Sequence, residues 1–213
     1  MKRVGGWRRV GLSAASLLLA ACGSAKQPDF YTLTLLASAP AAAAREGKQV
    51  GVAVPSAAHL LRQDRIVYFT HGSKLNYYHY HRWGEPPVFM LQSLLLQRLR
   101  ATGAFGDVVP YRAQKGLAYV LRSQLLALEE VDNGSDVRTR FAIEMELVQQ
   151  EEAQVVWTGR ESCERPVATK TVAAVVAALN GCVEESLTRL TQSLRASMAE
   201  LEAGAAPASG GEP

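Results

Sequence analysis

Nowhere among the 213 residues is there an apolar run near the roughly 20 residues that a helix needs to cross a bilayer at 1.5 Å rise per residue. The run from Val10 to Ala21 is only about a dozen residues long, which excludes a membrane span. Catalytic signatures are missing too: there is no glycine-rich phosphate loop, G-x-S-x-G elbow, H-E-x-x-H pair or Cys-x-x-Cys. Acidic pairs exist at Glu129-Glu130, Glu151-Glu152 and Glu184-Glu185, but they fall at expected turns or polar faces and read as solvated charge. The chain is therefore expected to be no enzyme and to need no cofactor.

What is present at the start is an ordered sequence of properties. Lys2, Arg3, Arg8 and Arg9 precede the apolar run, with no acidic residue among them, and small residues close it. That order is the one a secretory signal peptide takes. Arg8-Arg9 is a weak twin-arginine signal without the rest of that pattern. Leu19-Ala20-Ala21-Cys22 resembles the lipobox of bacterial lipoproteins. The resemblance implies cleavage before Cys22, diacylglyceryl transfer to its sulfur and acylation of the new amine. Two or three chains at about 0.8 kcal/mol per buried methylene hold stably, where one holds marginally. Gly23 stands where inner-membrane lipoproteins commonly carry aspartate, so the resemblance points to the outer membrane, facing the periplasm.

Cleavage alters the charge argument. The full sequence has 23 Lys and Arg against 20 Asp and Glu; without the four basic residues of the signal, 19 stand against 20. A near-neutral mature chain has no electrostatic footprint for nucleic acid. The expected divisions are 1–21 signal peptide, 22–48 lipidated N-terminus with first strand and loop, 49–202 one domain, and 203–213 a disordered tail rich in Gly and Pro.

Within the domain, "VGVAVP" at Val50–Pro55 reads as a buried strand closed by proline. "IVYFTH" and "KLNYYHYH" flank Gly72-Ser73 as a hairpin. Pro86-Pro87 suits a helix's first turn, and Leu91, Leu94, Leu95 and Leu99 follow at helical spacing up to a stop at Gly103. "DVVPY" then completes a parallel β-α-β unit, with the hairpin as an insertion. Leu117–Val131, Val137–Val148 and the strand from Ala153 form an antiparallel meander, its first turn at Asn133-Gly134. In the second strand Val137, Thr139, Phe141, Ile143, Met145 and Leu147 alternate with charged residues, so one face is core. A helical stripe from Val172 to Leu201 follows, with a kink expected at Asn180-Gly181. The fold class is α/β: one domain whose mixed sheet is packed by two long helices.

The sharpest candidate site is "NYYHYHRW", residues 76–83. Tyr77, Tyr78, Tyr80, Arg82 and Trp83 have the aromatic and arginine composition favoured at protein interfaces, and a partner surface weighs evenly against a strand merely packed on the domain. His79 and His81, two apart on a strand, lack a local third ligand, so no metal site is assigned. Cys163 and Cys182 both fall on expected apolar faces. A disulfide between them would close a loop of about 20 residues and add roughly 3 kcal/mol in the chain-entropy model; two separate buried thiols stand beside it as an alternative.

The order of segments carries a wider likeness. "YTL" at Tyr31–Leu33, "VGVAVP", "LRQDRIVYF" at Leu61–Phe69, "RWGEPP" at Arg82–Pro87, "TGAFGDVV" at Thr102–Val109 and "YVLRSQLLALEE" at Tyr119–Glu130 together resemble the ABC-type transport auxiliary lipoproteins, the PqiC-like family. The resemblance implies an outer-membrane-anchored auxiliary component of a lipid-trafficking system. Its partners would be outer-membrane lipid through acylated Cys22, an MCE-domain conduit protein, and the associated inner-membrane permease or ABC transporter. A homo-oligomer stays open. The competing class is a lipoprotein regulator of a cell-wall synthase.

Overall fold

The computed structural model describes residues 26–35 and 47–205, so the signal segment, Cys22 and residues 206–213 lie outside the described residues. Among those described, nine strands form one mixed sheet. Its spine is β7 (Tyr119–Asp132). Three strands lie end to end, all parallel to it, along one edge: β2 (Gln49–Val52) beside Val120, β3 (Ser56–Ala57) beside Gln124, and β4 (Arg65–Thr70) beside Glu130. Its other edge carries β8 (Val137–Gln149) and then β9 (Gln154–Pro166), both antiparallel to their neighbours. This is the expected meander, with Gly134 at φ 82° in its first turn.

The parallel unit is equally plain. β6 (Asp107–Pro110) pairs with β2, and α1 (Pro87–Thr102) connects them, with the hairpin of β4 and β5 (Lys74–Trp83) inserted between. Pro87 occupies the first turn of α1, where its missing N–H costs nothing. Gly103 caps the other end at φ 62°, a left-handed conformation that glycine adopts without a Cβ penalty. Finally β1 (Asp29–Tyr31) adds parallel to β5 at the sheet's far edge.

α2 (Val172–Ala205) continues as one helix through Asn180-Gly181, where the sequence led us to expect a kink. Gly181 serves a different purpose: a Cβ there would lie 2.6 Å from the Arg165 guanidinium, which rests against the helix at that point. Val175, Leu179, Val183, Leu187, Leu190 and Leu194 of α2 are buried with the core-facing residues Phe141, Ile143 and Leu147 of β8. Arg98 of α1 pairs with Glu184 of α2, joining the helices. Both helices thus share one core with the sheet, as the sequence led us to expect.

One irregularity in β7 matters for the site. Leu125 pairs with Ile143 but Leu128 with Phe141, so a bulge inserts one residue and reverses the in-out alternation. Tyr119, Leu121 and Leu125 face the core before it; Leu128 and Glu130 do so after it.

Candidate functional site

The hairpin turns through His71–Ser73, with His71 at φ 51° and Gly72 at φ 77°. Its ladder is regular from Thr70↔Lys74 to Val67↔Tyr77 and resumes at Arg65↔Arg82. Ile66 alone therefore stands opposite Tyr78, His79, Tyr80 and His81, an irregular bulge in the ladder. The aromatic segment is divided between two faces as a result.

On the inner face Trp83 is buried at 1% exposure in the common core. The half-buried Tyr78 donates its hydroxyl hydrogen bond to Glu130 Oε2 at 2.6 Å, and its ring lies 4.8 Å from that of Tyr68. Its edge meets His81 at 5.8 Å. His81 Nδ1 lies 3.1 Å from the Tyr31 hydroxyl and 3.3 Å from Asp29 Oδ2. Burial raises the Glu130 pKa above the ordinary glutamate value, and the Asp132 charge adds to this; the Tyr78 hydrogen bond and Lys170 oppose it. Tyr78 is pushed up strongly, first by burial and then by its bond to Glu130. Tyr31 is raised by burial and by Asp29.

This corrects two expectations. Trp83 is a core residue at 1% exposure and is withdrawn from the surface, and the hydroxyl of the half-buried Tyr78 is engaged by Glu130. Nor are Glu129 and Glu130 solvated: each is 5% exposed. The β7 bulge turns Glu130 inward against Tyr78, while Glu129 is held by Arg140.

The outer face keeps Tyr77, Tyr80 and Arg82 and gains residues that sequence reasoning missed. Phe30, Arg82 and Arg65 form one cross-strand row over β1, β5 and β4. Arg65 lies 4.9 Å above the Tyr77 ring, and Lys26 Nζ lies 4.8 Å above that of Tyr80. Arg82 is paired with Asp64 at 3.0 Å. Phe30 is 63% and Tyr80 47% exposed. Phe30 and Lys26 reach this face only through the pairing of β1 with a strand some 50 residues away, which no local pattern signals. His79 is exposed, and no group of three or more His, Cys, Asp or Glu is placed to hold a metal among the described residues.

Elsewhere, a groove of about 690 Å³ opens between the β2–β3 connection and the meander. Its charges pair off, Arg160 with Glu144 at 2.7 Å and Arg122 with Glu146 at 3.6 Å, so it presents no unmatched charge to a ligand. Cys163 and Cys182 are joined in a disulfide with Cα atoms 5.4 Å apart, linking β9 to α2.

The family profile of the ABC-type transport auxiliary lipoprotein component matches residues 31–191. The chain belongs to that family. The match runs from β1 to late α2, so the hairpin, the groove and the disulfide of this auxiliary lipoprotein all lie within it. The crystal structure of protein XCC0632 from Xanthomonas campestris is similar at TM-score 0.68 and 22% identity, covering 82% of this chain and 99% of that one. A second, uncharacterized protein of known crystal structure is similar at TM-score 0.63 and 15% identity, covering 79% of this chain and 99% of that one. At those identities the likeness establishes the fold. No curated protein matches the sequence. No described helix of the auxiliary lipoprotein is long and apolar enough to cross a membrane.

Proposed function

We propose that the mature auxiliary lipoprotein, fastened to the outer membrane through acylated Cys22, docks the conduit of an ABC/MCE-type lipid transport system on the periplasmic side. The observation that carries this reading is the family match over residues 31–191, beginning nine positions after the lipobox cysteine. Such a component needs a stable anchor, a short tether and a rigid domain, and no chemistry of its own. The sequence lacks catalytic motifs, and the charges of the groove beside the meander are engaged with one another. Export, anchoring and docking are then its work, while ATP hydrolysis belongs to a partner, since the chain carries no phosphate loop.

In-cell cross-linking followed by purification of the lipoprotein from envelope membranes tests the reading. Enrichment of an MCE-domain protein together with its permease is the expected result. Enrichment of a peptidoglycan synthase without either would replace the proposal with the regulator of cell-wall synthesis.

A further inference from the structure

We propose that the outer face of the hairpin rests on the phospholipid headgroups of the leaflet that holds Cys22, with Phe30 and Tyr80 entering the interface and Lys26 and Arg65 meeting lipid phosphate. This rests on the lipid-anchor reading above and adds the orientation that reading leaves open.

The tether sets the distance. Lys26 follows Cys22 by four positions, a reach of at most about 14 Å at 3.3 to 3.6 Å per residue. Lys26 sits over the Tyr80 ring, and β1 starts three residues later, at Asp29. The edge of the sheet that carries Phe30 and Tyr80 is therefore held against the bilayer, whatever the rest of the domain does.

The chemistry of that edge fits headgroups. Aromatic residues with adjoining Lys and Arg concentrate where proteins meet the interfacial zone of a membrane, because apolar rings enter the acyl boundary while cations meet phosphate. An anionic lipid surface attracts each Lys or Arg held close to it. Lys26 and Arg65 lie over tyrosine rings, whereas the acids nearby, Asp64 and Asp29, are engaged by Arg82 and His81. The most exposed large apolar side chain in the described residues, Phe30, lies in the same row as both arginines. The inner face cannot substitute for it, since Trp83 and Tyr78 are committed to the core and to Glu130.

The test uses the full acylated protein in phosphatidylethanolamine and phosphatidylglycerol vesicles that carry a headgroup-level nitroxide quencher. An environment-sensitive fluorophore is attached at His79→Cys, in the bulge beside Tyr80, or at Glu152→Cys, in the β8–β9 turn at the opposite end of the sheet. With Cys22 acylated and Cys163 bonded to Cys182, the introduced thiol is the one that reacts. Quenching at position 79 should exceed that at 152 several-fold. Phe30→Ser with Tyr80→Ser should bring it down to the level of 152 without altering flotation with the vesicles. Flotation with equal, weak quenching at both positions overturns the orientation alone. Protein that fails to float because it carries no acyl chains overturns the anchor and the orientation together. A label at 79 that lipid leaves unquenched but an added MCE-domain protein shields shows a protein surface and also overturns the proposal.

Discussion

At the scale of single residues, Glu130 shows how one inserted residue in a strand redirects chemistry. Sequence order places Glu129 and Glu130 near a turn, where charge is normally wet. The bulge between Leu125 and Ala127 reverses the alternation and brings Glu130 under the Tyr78 hydroxyl. Alternation is legible in a sequence only until a bulge breaks it, and nothing in "LLALEE" announces one. Trp83 was likewise legible as an aromatic but not as core, because the second bulge, at residues 78–81, decides which face each ring takes. The raised Glu130 pKa has a thermodynamic sign. The folded state retains a proton that the unfolded chain has already released, so this stabilising contribution is full below the ordinary glutamate pKa and is lost as pH rises through the folded value. Tyr78→Phe removes the donor that favours the ionised form and leaves a buried carboxylate short of a partner. Denaturant unfolding should show a loss of about 1–3 kcal/mol at pH 7.5 and a clearly smaller loss near pH 4.5, where the protonated acid needs the donor less. An equal loss at both values would show that Glu130 does not govern the effect.

At the scale of elements, the interface of β9 with α2 is fixed in three ways. The disulfide closes 19 residues of separation, a contribution of roughly 3 kcal/mol in the chain-entropy model. Arg165 and Arg189 both reach Glu185, at 2.6 and 2.7 Å, and Arg189 also reaches Glu161 at 2.9 Å. Burial beneath the helix supplies the third. Gly159 permits this close approach: a Cβ there would stand 2.6 Å from the Trp157 ring and 2.7 Å from Leu190. Gly181 faces only the mobile end of a long side chain, the Arg165 guanidinium. Gly159→Ala should therefore cost about 1–3 kcal/mol through overpacking. For Gly181→Ala, helix propensity returns up to about 1 kcal/mol, set against the weakening of an exposed, solvent-screened ion pair. Thermal unfolding should show Gly159→Ala well below the wild type and Gly181→Ala close to it; the reverse order would contradict the packing argument. The alternation of β8, the stripe of α2 and the proline start of α1 were all readable, since each is a local period. The stacking of β2, β3 and β4 along a single edge of β7 was not, since parallel pairs link segments far apart in sequence and leave no local mark.

At the scale of the whole molecule, the decisive property lies in the balance between the first 21 residues and the remainder. The full sequence has a pI near 8.8, yet four of its 23 basic residues belong to the proposed signal, and 19 basic against 20 acidic remain once it is removed. Acylation of the new amine at Cys22 withdraws one more positive charge, while the C-terminal carboxylate stays. A mature lipoprotein should then carry a small negative net charge at neutral pH, and its isoelectric point should fall to neutrality or below. That shift of more than a unit reports removal of the basic leader, independently of any partner, and its dependence on Cys22 reports the lipobox route. Two-dimensional electrophoresis of envelope material should place the wild type at or below neutral pH. Cys22→Ser, blocked at diacylglyceryl transfer and hence at cleavage, should accumulate as a precursor near the basic value. If both forms focus together at the acidic position, an ordinary signal peptidase removes the leader without regard to the thiol. The tether argument, the orientation of the hairpin and the docking role would then all have to be rebuilt without a lipid.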